Sequence, residues 1–254
     1  MHYWKMVFRS VLLIGAAIMY IYYRIKGEND FYAIVQHMPA MLAIIWIVYF
    51  IEMLLRFFPS RFESLGCQKQ FARNYRPVDE HQTAVKLQSG KSTFAVAAAW
   101  FALNGVIGVL FYLNIIDEGI LLLISLAYGV CDMICILFFC PFQTWFMKNK
   151  CCTTCRIYNW DFAMMFTPFI FIKSFYTWSL LGIALLLLFN WEILVRVHPE
   201  RFSESTNACI SCADCPEKLC SHKKQLRHFI RDKKYRAIPV LIRQKISVVS
   251  DKIK

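Results

Sequence analysis

Charge is scarce in this chain. Asp, Glu, Lys and Arg make up 18% of its 254 residues, where soluble domains carry about a quarter. Acids are scarcer than bases, 17 against 29, leaving a formal net charge of +12. That excess does not point to nucleic acid, because no recognition motif accompanies it. Other signatures are missing as well. There is no Rossmann glycine fingerprint and no flavin motif, and Cys220-Ser221-His222 lacks the C-x-x-C-H spacing of haem attachment. Ser89-Gly90-Lys91-Ser92 looks like the end of a phosphate-binding loop, but Val85 stands where the first glycine is required. It reads instead as a polar helix start with Ser92 or Thr93 as cap. No nucleophile–base constellation supports an enzyme acting on lipid or a lipid-linked substrate.

What the chain has in quantity is apolar surface: 58% hydrophobic and 16% aromatic residues, gathered in long runs. Such runs predict an all-α, polytopic helix bundle in the cell (cytoplasmic) membrane, with the lipid bilayer as its main partner. Span one is expected over Val7–Tyr23. It has the charged start of a signal peptide but no small-x-small cleavage site, so it reads as an uncleaved first helix. Span two is expected over Tyr32–Phe58, ending at Pro59, span three over Thr93–Asn114 and span four over Gly119–Met147. The segment Trp160–Val195 is too long for one helix and short for two. A short fifth helix over Trp160–Ile172, a turn at Lys173-Ser174 and a sixth over Phe175–Val195 resolve it as a double crossing or a re-entry. The bundle then covers 1–196, and a cysteine-rich basic tail covers 197–254.

Basic residues give the orientation. Arg56, Arg61, Lys69, Arg73, Arg76, Lys86 and Lys91 flank or fill the loop after span two, and Lys148, Lys150 and Arg156 follow span four. The loop between spans three and four holds only Asp117 and Glu118. The positive-inside rule puts both termini and both basic loops in the cytoplasm, which requires about six crossings. An internal echo agrees. Span two ends Glu52-Met-Leu-Leu-Arg56-Phe-Phe-Pro59-Ser-Arg61-Phe62, and the last span ends Glu192-Ile-Leu-Val-Arg196-Val-His-Pro199-Glu-Arg201-Phe202. The shared pattern E-x-L-x-R-x-x-P-x-R-F predicts a Glu–Arg pair four residues apart, then a proline stop.

Cysteines carry the most specific signal. Cys209, Cys212 and Cys215 run at C-x2-C-x2-C spacing, Pro216 follows, and Cys220 completes a set of four. Cys151, Cys152 and Cys155 form a second knot, with Cys67 and Cys140 placed near the same face. Thiols gathered in a reducing compartment bind metal more often than they form disulfides. The spacing suits an iron–sulfur cluster of the 4Fe-4S type. It suits zinc as the alternative, through all four cysteines of the run or three with His222. Cys67, Cys140, Cys151, Cys152 and Cys155 are candidates for the same or a second centre. Juxtamembrane acylation is the plainer reading of the knot.

Two resemblances enter here. Cys135-x4-Cys140-Pro141-Phe142-Gln143 resembles the cysteine–proline motif that ends membrane helices in quinol-dehydrogenase-type membrane ferredoxins. That likeness implies 4Fe-4S clusters and electron transfer at the membrane. The usual glycine between the cysteines and the usual three-residue gap are absent here. Over a longer stretch the chain resembles an uncharacterised family of cysteine-rich multi-span bacterial membrane proteins. The resemblance runs through Cys140-Pro-Phe-Gln143, Cys155-Arg-Ile-Tyr-Asn-Trp-Asp161, Met164-Met-Phe-Thr-Pro168 and His198-Pro-Glu-Arg-Phe-Ser203. It implies class and location rather than an activity.

Asp132 sits mid-span, beside Cys131 and one turn from Cys135. A carboxylate at that depth is a proton-relay candidate or the partner of a polar group, with Asn104 and His37 as candidate partners that height alone does not assign. Small residues of span three (Ala95, Ala98, Ala99, Ala102, Gly105, Gly108) are expected to let a helix approach closely. Met164-Met165 with Pro168 reads as a kinked packing segment. The tail from Ser221 carries Lys223, Lys224, Arg227, Arg231, Lys233, Lys234 and Arg236. It suits anionic lipid or a soluble redox partner, or it is a solvated basic helix. The expectation is therefore an iron–sulfur redox or electron-transfer component of the membrane. The alternative is a transporter or scaffold with a structural zinc.

Overall fold

The computed structural model of the chain describes residues 2–27, 39–59, 69–78, 85, 90–148, 155–203 and 205–210. Those residues are mostly helical, with no strand among them and one isolated β-bridge between Pro77 and Asn207. The α-helices are α1 (His2–Ile25), α2 (Pro39–Leu55), α3 (Gly90–Tyr112), α4 (Glu118–Leu137), α5 (Asp161–Phe166) and α6 (Phe175–Val197). Four of them, α1, α3, α4 and α6, are long and apolar enough to cross a membrane, with windows of mean hydropathy between 1.7 and 2.4. Their outer faces fit that solvent. Val7, Val11, Ile14, Ile18, Ile21 and Ile25 form an exposed apolar stripe on α1, of a length that soluble proteins rarely leave uncovered.

Helix limits follow local chemistry. Asp117 caps α4 by accepting the Ile120 N–H at 2.8 Å, and the same carboxylate takes the Tyr20 hydroxyl at 2.9 Å from the end of α1. Asn114, at φ 56°, lets the chain leave α3 in the left-handed region where asparagine is tolerated. Helix α4 stops at Leu137, ten residues short of the expected Met147 limit. Pro141 lacks an N–H and disfavours helical backbone at Cys140. The chain breaks there and resumes as one wide turn, Phe142–Phe146.

The core joins Tyr49 and Met53 of α2, Leu121 of α4, Phe162, Met165 and Phe166 of α5, and Leu180, Leu187 and Trp191 of α6. Helix α1 lies along α4, α5 packs between α4 and α6, and α2 covers α6. After α5 the chain tightens into a 3-10 segment, Thr167–Phe171, with Pro168 in its first turn. Side chains occupy several carbonyls in and beside this irregular stretch. Ser125 donates to Met165 O at 2.8 Å, Thr167 to Ala163 O at 2.7 Å and Thr177 to Ile172 O at 2.7 Å. The 161–171 stretch runs the length of the bundle. Asp161 meets Arg56 just beyond α2, and Phe171 meets Phe111 and Tyr112 in the last turn of α3.

The small-residue face of α3 behaves differently from expectation. Gly108 is a close approach, since a Cβ there would lie 2.5 Å from Phe171 Cζ. Ala98, Ala99, Ala102 and Gly105 instead face outward. Phe171 of the 3-10 segment packs onto α3 at Gly108, so that position needs to be small.

Candidate functional site

One end of the bundle gathers the chemistry; it is the end where α1 begins and where α2, α4 and α6 finish. Arg9 of α1 is 3% exposed and lies in the middle of it. Its guanidinium donates to Asp132 at 3.0 Å, to Gly129 O at 3.1 Å and to Glu52 at 3.2 Å. Lys5, one turn earlier, reaches Glu52 at 3.3 Å. Arg56 pairs with Asp161 at 2.5 Å. The two guanidinium groups lie 5.8 Å and 4.5 Å from the Phe162 ring centroid, within cation–π range. Three cations thus meet three carboxylates, and the buried set is neutral, as the cost of isolated charge in a low dielectric requires. Gly129 makes room for it: a Cβ there would lie 2.7 Å from Met165 Sδ and 3.7 Å from Arg9 Cδ.

These pairings correct three sequence expectations. Asp132 is the counter-ion of Arg9, while Asn104 donates to the Trp100 carbonyl of its own helix; His37 lies outside the described residues. Glu52 is held by Arg9 and Lys5, and Arg56 turns to Asp161. Glu192 binds Arg156 at 2.6 Å and the Trp160 indole at 2.9 Å, where pairing with Arg196 was expected. Helix α2 ends at Leu55, so Arg56 has left the helical register that a four-residue pair needs.

Against this network lies a cavity of about 120 Å³. Asp132 and Asp161 line it together with Cys131, Cys135, Cys140, Cys155, Met164 and Met165. Cys131 and Cys135 are four apart on α4 and so share a face. The Pro141 break brings Cys140 back toward them. The Cys135 and Cys140 thiols share a hydrogen bond, and the Gln143 N–H points at Cys140 Sγ at 3.3 Å. Cys155 is buried at the start of the Arg156–Trp160 turn. Cys131 and Cys135 were not among the sequence-predicted ligands. Their four-residue spacing next to a cysteine–proline break is the signal that would have included them.

Above the cavity, three chain segments are laced together. Asn159 donates to Gln70 Oε1 at 3.0 Å. Asn207, fully buried, donates to Lys69 O at 3.1 Å and Arg201 O at 2.9 Å, and accepts the Cys209 N–H at 3.1 Å. Ala208 N–H reaches Arg76 O at 2.9 Å, and the Cys209 thiol donates to Asn74 O at 2.9 Å. The stretches after Cys67, at Cys155 and at Cys209 therefore share one surface. Cys67, Cys151, Cys152, Cys212, Cys215, Cys220 and the basic tail lie outside the described residues. Among the described residues, no three His, Cys, Asp or Glu side chains converge as metal ligands.

No family model, no curated protein and no solved structure matches the chain.

Proposed function

We propose that this multi-span membrane protein holds a cysteine-ligated metal at the surface where residues 69–78, 155–160 and 203–210 meet, and that the metal is an iron–sulfur cluster exchanging electrons with a soluble partner. The observation that carries the reading is the lacing of those segments by Gln70–Asn159, Lys69–Asn207 and Asn74–Cys209. It sets Cys209, the first thiol of the C-x2-C-x2-C run, beside the chain that follows Cys67. Cys209, Cys212, Cys215 and Cys220 are the proposed ligands, with Cys67, Cys151 and Cys152 within reach along the chain. The same surface is proposed to face the cytoplasm. Six crossings follow if the 161–171 stretch and α2 both traverse the bilayer, and the basic residues of the 69–78 loop and the tail then lie inside.

Purification without oxygen, with an optical spectrum and elemental analysis, tests this. Broad absorption at about 400 nm with iron and sulfide supports it. A colourless protein with stoichiometric zinc overturns the redox reading in favour of a transporter or scaffold tied by structural zinc. Cys212→Ser with Cys215→Ser should remove the metal in either case. A reporter fused after Lys254 should behave as cytoplasmic; an outside location would overturn the six-crossing topology.

A further inference from the structure

The thiol-lined cavity borders the 155–160 segment of the surface proposed above but offers different cysteines and a different chemistry. We infer that it is a separate metal site for one soft monovalent cation, copper(I), held between the sulfurs of Cys135 and Cys140.

Donor type comes first. Thiolate and thioether sulfur select copper(I), zinc or iron–sulfur clusters over hard cations. Here thiols Cys135 and Cys140 already touch, and the thioethers of Met164 and Met165 line the same space. The oxygen donors that would suit a hard ion are engaged elsewhere, because Asp132 is bound to Arg9 and Asp161 to Arg56. Ligand number then separates the soft candidates. Zinc centres take three or four protein ligands and iron–sulfur clusters about four. Among the described residues no three His, Cys, Asp or Glu converge. Copper(I) is satisfied by two sulfurs in line, with a thioether as a weak third.

The backbone supports this independently. The proline break turns the Gln143 N–H onto Cys140 Sγ at 3.3 Å, which fixes where that sulfur points as supporting hydrogen bonds do for metal ligands. Two thiols and one copper(I) give a bis-thiolate complex of charge −1 and release two protons to solvent, with no electron transferred. Asp132 and Asp161 line the same cavity, each with its charge already matched by Arg9 or Arg56.

The site is independent of the proposed cluster, so the two readings can fail separately. The first test uses full-length protein in detergent, without oxygen, with all seven cysteines outside the cavity (Cys67, Cys151, Cys152, Cys209, Cys212, Cys215, Cys220) changed to Ser. It should keep one copper(I) per chain against a chromogenic copper(I) chelator. Cys135→Ser or Cys140→Ser should weaken that affinity by more than the about 10–100-fold that a supporting residue costs. The second test keeps every cysteine and so does not depend on that variant folding. Copper(I) should slow alkylation of Cys135 and Cys140, read by peptide mass spectrometry, and should do so equally in the Cys212→Ser, Cys215→Ser protein. Unchanged alkylation of both residues overturns the inference. So does a Cys135–Cys140 disulfide in protein trapped during extraction from cells.

Discussion

Arg9 and Asp132 are 123 positions apart in sequence and 3.0 Å apart in the bundle. The contact joins the first helix to the fourth, and Glu52 of α2 closes it from the other side. A guanidinium with three acceptors can sit in this interior only as long as all of them stay in place.

Removing the cation should therefore cost more than the ion pair is worth. Arg9→Met leaves Asp132 and Glu52 without their guanidinium and is expected to destabilise the protein by about 3–5 kcal/mol, the range for breaking a buried pair from one side. Adding Asp132→Asn should recover part of that loss. Denaturant titration in detergent measures both; an additive double variant would show that the two residues do not interact.

Arg56 should not be replaceable by lysine. Its guanidinium serves Asp161 and the Phe162 ring at once, and an ammonium lacks the planar fork to do both. Arg56→Lys is expected to lose about 1–2 kcal/mol and to speed alkylation of the buried Cys155, six residues before the anchored Asp161. Unchanged Cys155 reactivity would show that the pair does not hold this segment in place.

Two glycines of α3 should respond oppositely to alanine. Gly108→Ala drives a methyl group into Phe171 and should cost about 1–3 kcal/mol, with Phe171→Leu relieving it. Gly105→Ala meets nothing within 4 Å and should be neutral or stabilising by up to about 1 kcal/mol. Thermal melting of the three variants in one detergent is sufficient.

Asn207 is the tie between the surface segments. Asn207→Ala abandons two carbonyls and the Cys209 N–H, a cost of about 1–3 kcal/mol for buried groups left unpaired. If the surface holds a metal, the metal content of purified protein should fall with it. Asn207→Asp keeps the acceptor for Cys209 but sets a carboxylate oxygen against the Lys69 and Arg201 carbonyls, and should cost at least as much as alanine.

The sequence made the layout readable because layout follows hydrophobic length and breakers. The break at Lys173-Ser174 was expected, and α6 begins at Phe175 with Ser174 as its extended cap. The kink at Pro168 and the packing role of Met165 were expected too. Partner choice was not readable. The repeated Glu–Arg spacing suggested pairs within a helix, yet Glu52 and Glu192 both bond to other segments, because a cation arriving from a neighbouring helix offers a shorter, drier contact. Arg9 fell inside the expected first span with no partner assigned to it, since nothing near it in sequence shows that Gly129, Asp132 and Glu52 will surround it. The end of α4 was misplaced for a related reason. Apolar residues continue through Phe146, and hydropathy is blind to the missing N–H of Pro141.

The Arg9 contacts also set an order of assembly. At about 5–20 residues per second of synthesis, Glu52 follows Arg9 by some seconds and Asp132 by up to about half a minute. During that interval the first helix carries a cation whose counter-ions have not yet been made. Helix α1 thus reaches its full set of acceptors only when the fourth helix arrives with its carboxylate.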